Sequence, residues 1–293
     1  MSGVRHFACT QCGKCCNRAP EVELSEAASL ADVFVFRLLF RVYSLPRAPE
    51  RGADAEVFYQ KKRLLAAHAA RKSPVKLMRQ SKPVDSTSYL LISALALDTL
   101  PGACAALDEG RCSIHDRRPL GCRSVPFHYS RPHGLALADF DAFVATPGYA
   151  CDTSEAGAPF LQGGRIVDAP TLQARGDALQ LATIDRPWKE AIVRAMKRGS
   201  DSSLPSLADI EANAGFAAMT ASMRTAWEIA ADTGLLGREK ARGLIQQQLA
   251  TIEREVQRGE RSAADWQTLQ EMCRDYRQAL RQAVVSSLPK LRR

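Results

Sequence analysis

The sequence predicts a predominantly α protein with a small β element, in which an irregular cysteine-rich metal-binding domain precedes a C-terminal helical bundle or layer. Eight of the nine cysteines occur by residue 151, whereas later segments are rich in Ala, Leu, Gln, Glu and Arg, with apolar residues at helical spacing. A stretch containing glycine and proline, 153–170, separates the two compositions, and 293 residues exceed one typical domain. We therefore predict a cysteine-cluster metal-binding domain over 1–165 and a helical domain over 171–293.

Four regular elements are predicted in the first part. A helix over 25–43 is capped by Ser25 and is apolar on most faces, and a second helix, basic on its outer side, covers about 53–72. The apolar run between 86 and 97 is compatible with a strand, and 135–144 with a second strand that pairs with it. Periodicity alone does not distinguish a short buried strand from a buried helix.

The second part is predicted to form antiparallel helices near 171–198, 206–234, 238–259 and 262–287. In the second of them, apolar residues recur at the spacing of a core-facing stripe: Phe216, Met219, Met223, Trp227 and Ala230. Cys273 lies in a similar apolar pattern in the last helix. We therefore interpret it as a core thiol and expect no metal ligand in this part.

Four cysteines within eight residues form the densest feature of the chain: Cys9, Cys12, Cys15 and Cys16. Spacers of two residues let a tight turn direct successive thiolates at one centre, and Gly13 supplies backbone freedom at the turn. Cys15 and Cys16 are adjacent, and adjacent side chains diverge. The loop is therefore predicted to serve a polynuclear cluster or two neighbouring centres.

Four cysteines further along the chain complete the predicted ligand set: Cys104, Cys112, Cys122 and Cys151. Eight thiols are enough for two four-thiolate sites. The chain opens without the apolar core of a signal peptide and contains no transmembrane segment, so we expect a cytoplasmic protein. Clustered thiols in that compartment stay reduced and are metal ligands or catalysts, and we predict that all eight converge in space.

The segment from Cys112 to Phe127 reads C-S-I-H-D-R-R-P-L-G-C-R-S-V-P-F and resembles the pattern C-x-[IV]-[YH]-x-x-R-P-x-x-C-R-x-x-P-[FY]. Together with the N-terminal C-x2-C-x2-C-C loop, residues 5–152 resemble the YkgJ family of cysteine-cluster proteins, known as a zinc- or iron-chelating domain. A related branch is the flagellin lysine N-methylase, which the resemblance links to an iron–sulfur centre. The resemblance thus implies metal chelation, and it leaves lysine methylation with S-adenosylmethionine as an open prediction.

Three side chains of this segment are predicted to support the thiolates without ligating the metal: His115, Arg118 and Arg123. His115 follows Cys112 at C-x2-H spacing, but the matched pattern accepts Tyr there, which favours packing or hydrogen bonding over ligation. Arginine N–H groups directed at thiolate sulfur stabilise a metal site and tune its potential. The sequence identifies no catalytic residue.

Two functions follow from these residues, and the cysteine count does not decide between them. An iron–sulfur protein with a 4Fe-4S cluster is favoured, because three closely spaced thiolates and a remote fourth hold a cubane while Cys16 turns to a different centre. The alternative is a non-enzymatic interaction module in which closed zinc sites hold a basic surface in place.

The formal charge of +8 is concentrated in residues 37–82, which contain twelve Lys or Arg and three Asp or Glu. This excess indicates either an acidic protein or other anionic partner, or a solvated helix face that offsets the negative charge of thiolate sites. The chain carries no nucleic-acid-binding motif, no glycine-rich nucleotide loop and no metalloprotease motif.

Overall fold

The computed structural model describes residues 3–16, 19–45, 55–77, 88–98, 104–127, 131–199, 202–212, 218–258 and 263–287. The structure has 53% helix and 17% strand, and the strands form several antiparallel sheets. The predicted fold class, predominantly α with a small β element, is therefore wrong, and the protein has a mixed α/β fold.

Most strands of the described residues are short, and the two longest lie side by side in the main sheet. The strands are β1 (Arg5–His6), β2 (Glu21–Val22), β3 (Phe36–Ser44), β4 (Val75–Leu77), β5 (Ser88–Ala96), β6 (Leu107–Asp108), β7 (Arg111–Cys112), β8 (Pro159–Gln162), β9 (Arg165–Ile166) and β10 (Met219–Ser222).

The main sheet is antiparallel and has the order β10-β3-β5-β2, with β4 pairing with β5 on the same side as β2. Its centre is the β3–β5 pair, in which Phe36 lies opposite Ala96 and Ser44 opposite Ser88. A second sheet, β1-β8-β9, joins the N-terminus to residues 159–166, and β6 and β7 form a separate hairpin.

Helices cover most of the second part of the chain. They are α1 (Leu24–Ser29), α2 (Ala55–Lys72), α3 (Leu120–Arg123), α4 (Ala136–Val144), α5 (Ala169–Ile184), α6 (Arg186–Arg198), α7 (Leu207–Ala212), α8 (Met223–Asp232), α9 (Arg238–Gln257) and α10 (Ala263–Ser287). None of these described helices is apolar enough over a sufficient length to cross a lipid bilayer.

The predicted helix over 25–43 is wrong beyond Ser29, because strand β3 occupies its second half. Phe36, Leu38 and Phe40 alternate along one face of β3 and are almost completely buried. Leu39, on the opposite face, is buried as well. A strand covered on both faces has a nearly continuous apolar sequence, which resembles that of a buried helix.

The predicted strand over 135–144 is also wrong, because these residues form helix α4. Ala136 and Phe140 are buried in one cluster and Val144 packs against it, which is the spacing of one helix face. Strand β5 therefore pairs with β3 instead. The predicted strand over 86–97 is confirmed as β5, and the helix over 53–72 as α2, apart from positions 53, 54, 86 and 87, which lie outside the described residues.

Of the predicted helices of the second part, those over 238–259 and 262–287 are confirmed as α9 and α10, apart from positions 259 and 262, which lie outside the described residues. The predicted helix over 171–198 is two helices, α5 and α6, and within 206–234 strand β10 lies between α7 and α8. Of the predicted apolar stripe, Met219 belongs to β10, while Met223, Trp227 and Ala230 are buried in α8. Phe216 lies outside the described residues. β10 pairs with β3, so the second part contributes a strand to the main sheet. The domain division between 165 and 171 stays a prediction.

The main core lies between this sheet and the C-terminal helices, and it contains Cys273 together with Leu269 and Tyr276. Helix α9 also supplies buried polar contacts to the turn that precedes β3. The Gln248 side chain accepts a hydrogen bond from Phe36 N and donates one to Phe34 O, at 3.1 and 2.8 Å. These bonds satisfy backbone groups that burial would otherwise leave unpaired.

Candidate metal centre

The N-terminal cysteine loop is held against the segment that carries Cys151. Ala8 N donates to Asp152 O at 2.8 Å, Asp152 N donates back to Ala8 O at 3.1 Å, and the Thr10 hydroxyl donates to Ala150 O at 2.8 Å. Because these bonds flank both Cys9 and Cys151, they bring the remote cysteine beside the start of the loop.

The loop then turns at Gly13 and contacts the β6–β7 hairpin. Gly13 has a φ of +70°, and Cys16 N donates to Gly13 O at 3.0 Å. A Cβ atom on Gly13 would lie 2.4 Å from Gly110 O, at the tip of the hairpin. Glycine is therefore required here both for the backbone conformation and for the close approach of the two backbones.

The remaining cysteines lie on short elements that pack beside Cys16. Cys104 N donates to Cys16 O at 3.1 Å, and Cys112 ends the hairpin strand β7, opposite Leu107. Cys122 lies in the single turn of α3, where its amide donates to Pro119 O at 2.8 Å. The eight predicted ligands thus occupy one region, although they come from four separate segments of the chain.

Electrostatic interactions between the thiols divide them into two sets of four. Burial raises the pKa of Cys151 to about 11, with further contributions from the charges of Cys15, Cys12 and Cys9. Burial also raises the pKa of Cys122 to about 12, with further contributions from the charges of Cys104 and Cys112. Apart from Cys15, the cysteines whose charges raise the pKa of Cys16 are Cys122 and Cys104. We name Cys9, Cys12, Cys15 and Cys151 the first set, and Cys16, Cys104, Cys112 and Cys122 the second set.

The adjacent residues Cys15 and Cys16 join the two sets. A hydrogen bond between their side chains lowers the pKa of Cys15 to about 6 and raises the pKa of Cys16, since the Cys16 thiol donates to the Cys15 thiolate. The Arg118 guanidinium further lowers the pKa of Cys15. One thiolate is therefore available at the junction near neutral pH, and thiolates are the metal-binding form of cysteine.

Among the residues that the structure describes, no three His, Cys, Asp or Glu side chains are placed so that they could hold a metal ion as they stand. The thiols act on one another electrostatically, and Cys15 and Cys16 share a hydrogen bond, but no three of the sulfur atoms converge on one point. Rotation about one side-chain bond moves a sulfur atom, whereas the backbone hydrogen bonds determine which cysteines are neighbours. The donor chemistry fits zinc or iron, both of which accept four thiolates.

The three predicted supporting residues have different surroundings. Arg118 is half-buried, donates from Nε to His115 O at 2.9 Å, and acts on the pKa values of both Cys15 and Cys122. The His115 Nε2 atom is buried without a hydrogen-bond partner among the described residues. Arg123 is exposed. The structure therefore brings Arg118 to the thiols, and it gives Arg123 no comparable position.

One residue that the sequence analysis missed is Glu26, on α1. Its carboxylate accepts a hydrogen bond of 2.6 Å from Leu120 N, at the start of the helix that carries Cys122. Burial raises the pKa of Glu26 to about 7. A buried glutamate has no distinctive sequence signal, because the two elements that it joins become neighbours only in the fold.

A comparison with known protein families identifies the same part of the chain as a metal-chelating domain. Residues 8–152 match the family CxxCxxCC, described as "Putative zinc- or iron-chelating domain". No curated protein and no solved structure matched the chain. The match includes all eight clustered cysteines and excludes Cys273. Residues 8–152 thus match the CxxCxxCC family of cysteine-cluster proteins, as the sequence resemblance predicted.

Proposed function

We propose that residues 8–152 chelate metal at two neighbouring centres, one held by the first set of cysteines and one by the second. The observation that carries this proposal is the division of the thiols: apart from the hydrogen bond that they share, Cys15 acts on Cys151, whereas Cys122 and Cys104 act on Cys16. A single tetrahedral ion accepts four thiolates, so eight cysteines exceed one mononuclear site. The family match supports chelation of zinc or iron without selecting between them.

We propose iron–sulfur clusters, with 4Fe-4S favoured, as the occupants. Support comes from the first set, in which three cysteines at C-x2-C-x2-C spacing are joined by Cys151 from a distant segment. This is the ligand pattern of a cubane. A bound cluster would supply one-electron exchange, while the protein's own residues would hold it and Arg118 would lie between the two sets.

The alternative, a zinc-stabilised interaction module, is favoured by helix α2. All residues of this helix belong to the described part of the chain, and Ala69 is the one that is buried. Val57, Tyr59 and Leu64 are exposed beside a run of basic residues. Exposed apolar side chains within a basic surface suit contact with an acidic protein or another anionic partner. Closed zinc sites would then be structural and would support no chemistry.

Anaerobic purification followed by elemental analysis and absorption spectroscopy separates these functions. We expect brown protein that contains iron and acid-labile sulfide and bleaches in air. Two equivalents of tightly bound zinc, with no iron or sulfide under strict exclusion of oxygen, would refute the cluster and favour the interaction module. Variants in which serine replaces the cysteines of the first set or of the second set are the control for adventitiously bound metal.

Lysine methylation needs a separate test, because it is supported by the family resemblance alone. The anaerobic, iron-containing protein would be titrated with S-adenosylmethionine and then incubated with a lysine-rich protein substrate. Binding of S-adenosylmethionine together with a mass increase on lysine would support an enzyme. If neither occurs, electron transfer, sensing or metal handling becomes the preferred role for the centre.

A further inference from the structure

A cavity lies between the main sheet and helix α2, outside the cysteine region. Its volume is about 90 Å³. Arg41 and Tyr43 of β3 face it together with Ser93 of β5, and His68 and Lys72 face it from α2. A volume of this size exceeds the roughly 15 Å³ that one water molecule needs, so the cavity has room for a small polar molecule.

The floor of the cavity carries buried charge. Lys189 Nζ lies 2.5 Å from Glu23 Oε2, and Lys72 Nζ lies 3.0 Å from Glu23 Oε1. The exposed fractions are 2% for Lys189, 3% for Glu23 and 10% for Lys72. Two ammonium groups therefore share one carboxylate in a desolvated position, and the group of three has a net positive charge. Buried charge that is not neutralised costs stability unless another group compensates for it.

Two further carboxyl groups, Glu26 and Asp185, lie near the floor and reduce this charge. Glu26 interacts electrostatically with both Glu23 and Lys72, but its pKa is raised to about 7 by burial. It is therefore only partly ionised at neutral pH. Burial also raises the pKa of Asp185, which interacts with Lys189 and Glu23.

Two arginines lie at the solvent side of the cavity. Arg41 pairs with Glu21 at 3.0 Å and Arg131 pairs with Asp139 at 2.8 Å, with exposed fractions of 45% and 44%. A guanidinium group has five N–H donors, more than these pairs use. Four basic side chains thus line the cavity, against the two carboxylates Glu21 and Glu23.

His68 adds a polar atom that lacks a partner. Its Nε2 is buried and has no hydrogen bond within the described part of the chain. Burial and the charges of Lys72, Arg175 and Arg71 lower the pKa of His68 to about 4, so the ring is neutral at neutral pH. A neutral imidazole with a proton on Nε2 donates one hydrogen bond from that atom.

We propose that this cavity binds a small oxyanion, namely the carboxylate or phosphate group of a small metabolite, between Arg41, Arg131, Lys72 and His68. The anion would be attracted by the basic side chains that line the cavity and would accept the hydrogen bond that His68 Nε2 lacks. Charge-assisted hydrogen bonds from guanidinium groups suit both kinds of oxyanion. A metal cation is disfavoured, because the lining has more cationic groups than carboxylates.

The test is titration of the full-length, metal-containing protein with inorganic phosphate and, separately, with acetate, at constant ionic strength, by calorimetry. We expect saturable binding at one site for at least one of the two anions. Saturation with phosphate alone identifies a phosphate-bearing ligand, and saturation with acetate alone identifies a carboxylate-bearing one. The absence of saturable binding for both anions would overturn the proposal.

Variants locate the binding. Arg41→Gln and Arg131→Gln should each weaken binding about tenfold, since each removes charge-assisted hydrogen bonds at a half-exposed position that folding tolerates. Arg277→Gln is the matched control, because Arg277 also pairs with a glutamate, Glu253, but does not line the cavity. Binding that neither Arg41→Gln nor Arg131→Gln weakens, in variants with unchanged circular dichroism and metal content, would also refute the proposal.

Discussion

Cys104 N donates a hydrogen bond of 3.1 Å to Cys16 O, and this contact joins the N-terminal cysteine loop to the second cysteine segment. It places Cys16 among the downstream cysteines, while Cys15 remains beside Cys12 and Cys151. Two residues that are adjacent in sequence thereby belong to different sets, although their side chains share a hydrogen bond.

If the two sets hold separate centres, removing one cysteine should empty one centre and leave the other. We expect Cys151→Ser and Cys122→Ser each to lower the metal content to about half, since each set loses one of its four thiolates. Cys273→Ala, a change in the buried core thiol, is the control and should leave the metal content unchanged. Elemental analysis of anaerobically purified protein measures the effect, and loss of all metal from either serine variant would instead indicate one shared centre.

Gly13→Ala should destabilise the cysteine domain. The added Cβ would lie 2.4 Å from Gly110 O, and the φ of +70° is unfavourable for alanine. We expect a loss of about 2 kcal/mol or more in the free energy of unfolding, measured by urea denaturation. Gly243→Ala is the matched control: Gly243 is exposed in α9, and an added Cβ would meet no atom within 4 Å outside the backbone of its own helix, so alanine should stabilise the helix by up to about 1 kcal/mol. Equal effects of the two changes would contradict the close contact between the loop and the hairpin.

Arg118→Gln should accelerate metal loss, whereas Arg123→Gln should not. The Arg118 charge acts on Cys15 and Cys122 and favours their thiolate forms, while Arg123 is exposed. Outer hydrogen-bonding partners of metal ligands typically change affinity by about 10- to 100-fold. The measurement is the rate of metal release to a chelator. Similar rates of metal release from Arg118→Gln and from the unchanged protein would show that Arg118 does not support the metal ligands.

His68 should make the stability of the protein depend on pH below neutrality. Its pKa is about 4 in the fold against 6.5 for an ordinary histidine, so the unfolded chain binds more protons between these values. The free energy of unfolding should therefore be at its full value above pH 6.5 and decrease as the pH falls to 4, by about 2 kcal/mol after allowance for partial exposure.

His68→Gln should remove this contribution, because glutamine does not titrate. The measurement is the difference in free energy of unfolding between the two proteins at a series of pH values, so that titrations common to both cancel. A difference that stays constant between pH 4 and 6.5 would show that His68 is not desolvated as the structure indicates.

Local patterns predicted several parts of the molecule. The cysteine spacing and the Cys112–Phe127 motif predicted the family, which the match to residues 8–152 confirms. Helix α2, strand β5 and the long helices α9 and α10 also followed from local composition and spacing. These features depend on residues close together in the chain, so the sequence alone contains the information that determines them.

Contacts between distant segments decided the rest. Strand β3 is a strand because β5 and β10 pair with it and cover its backbone groups, and α4 is a helix because one of its faces packs into a cluster with Phe160. The division of the cysteines depends on which loops lie beside each other, and the charged cavity depends on Glu23 meeting lysines from α2 and α6. Burial and pairing across the fold determine these features, and no spacing along the chain reports which segments become neighbours.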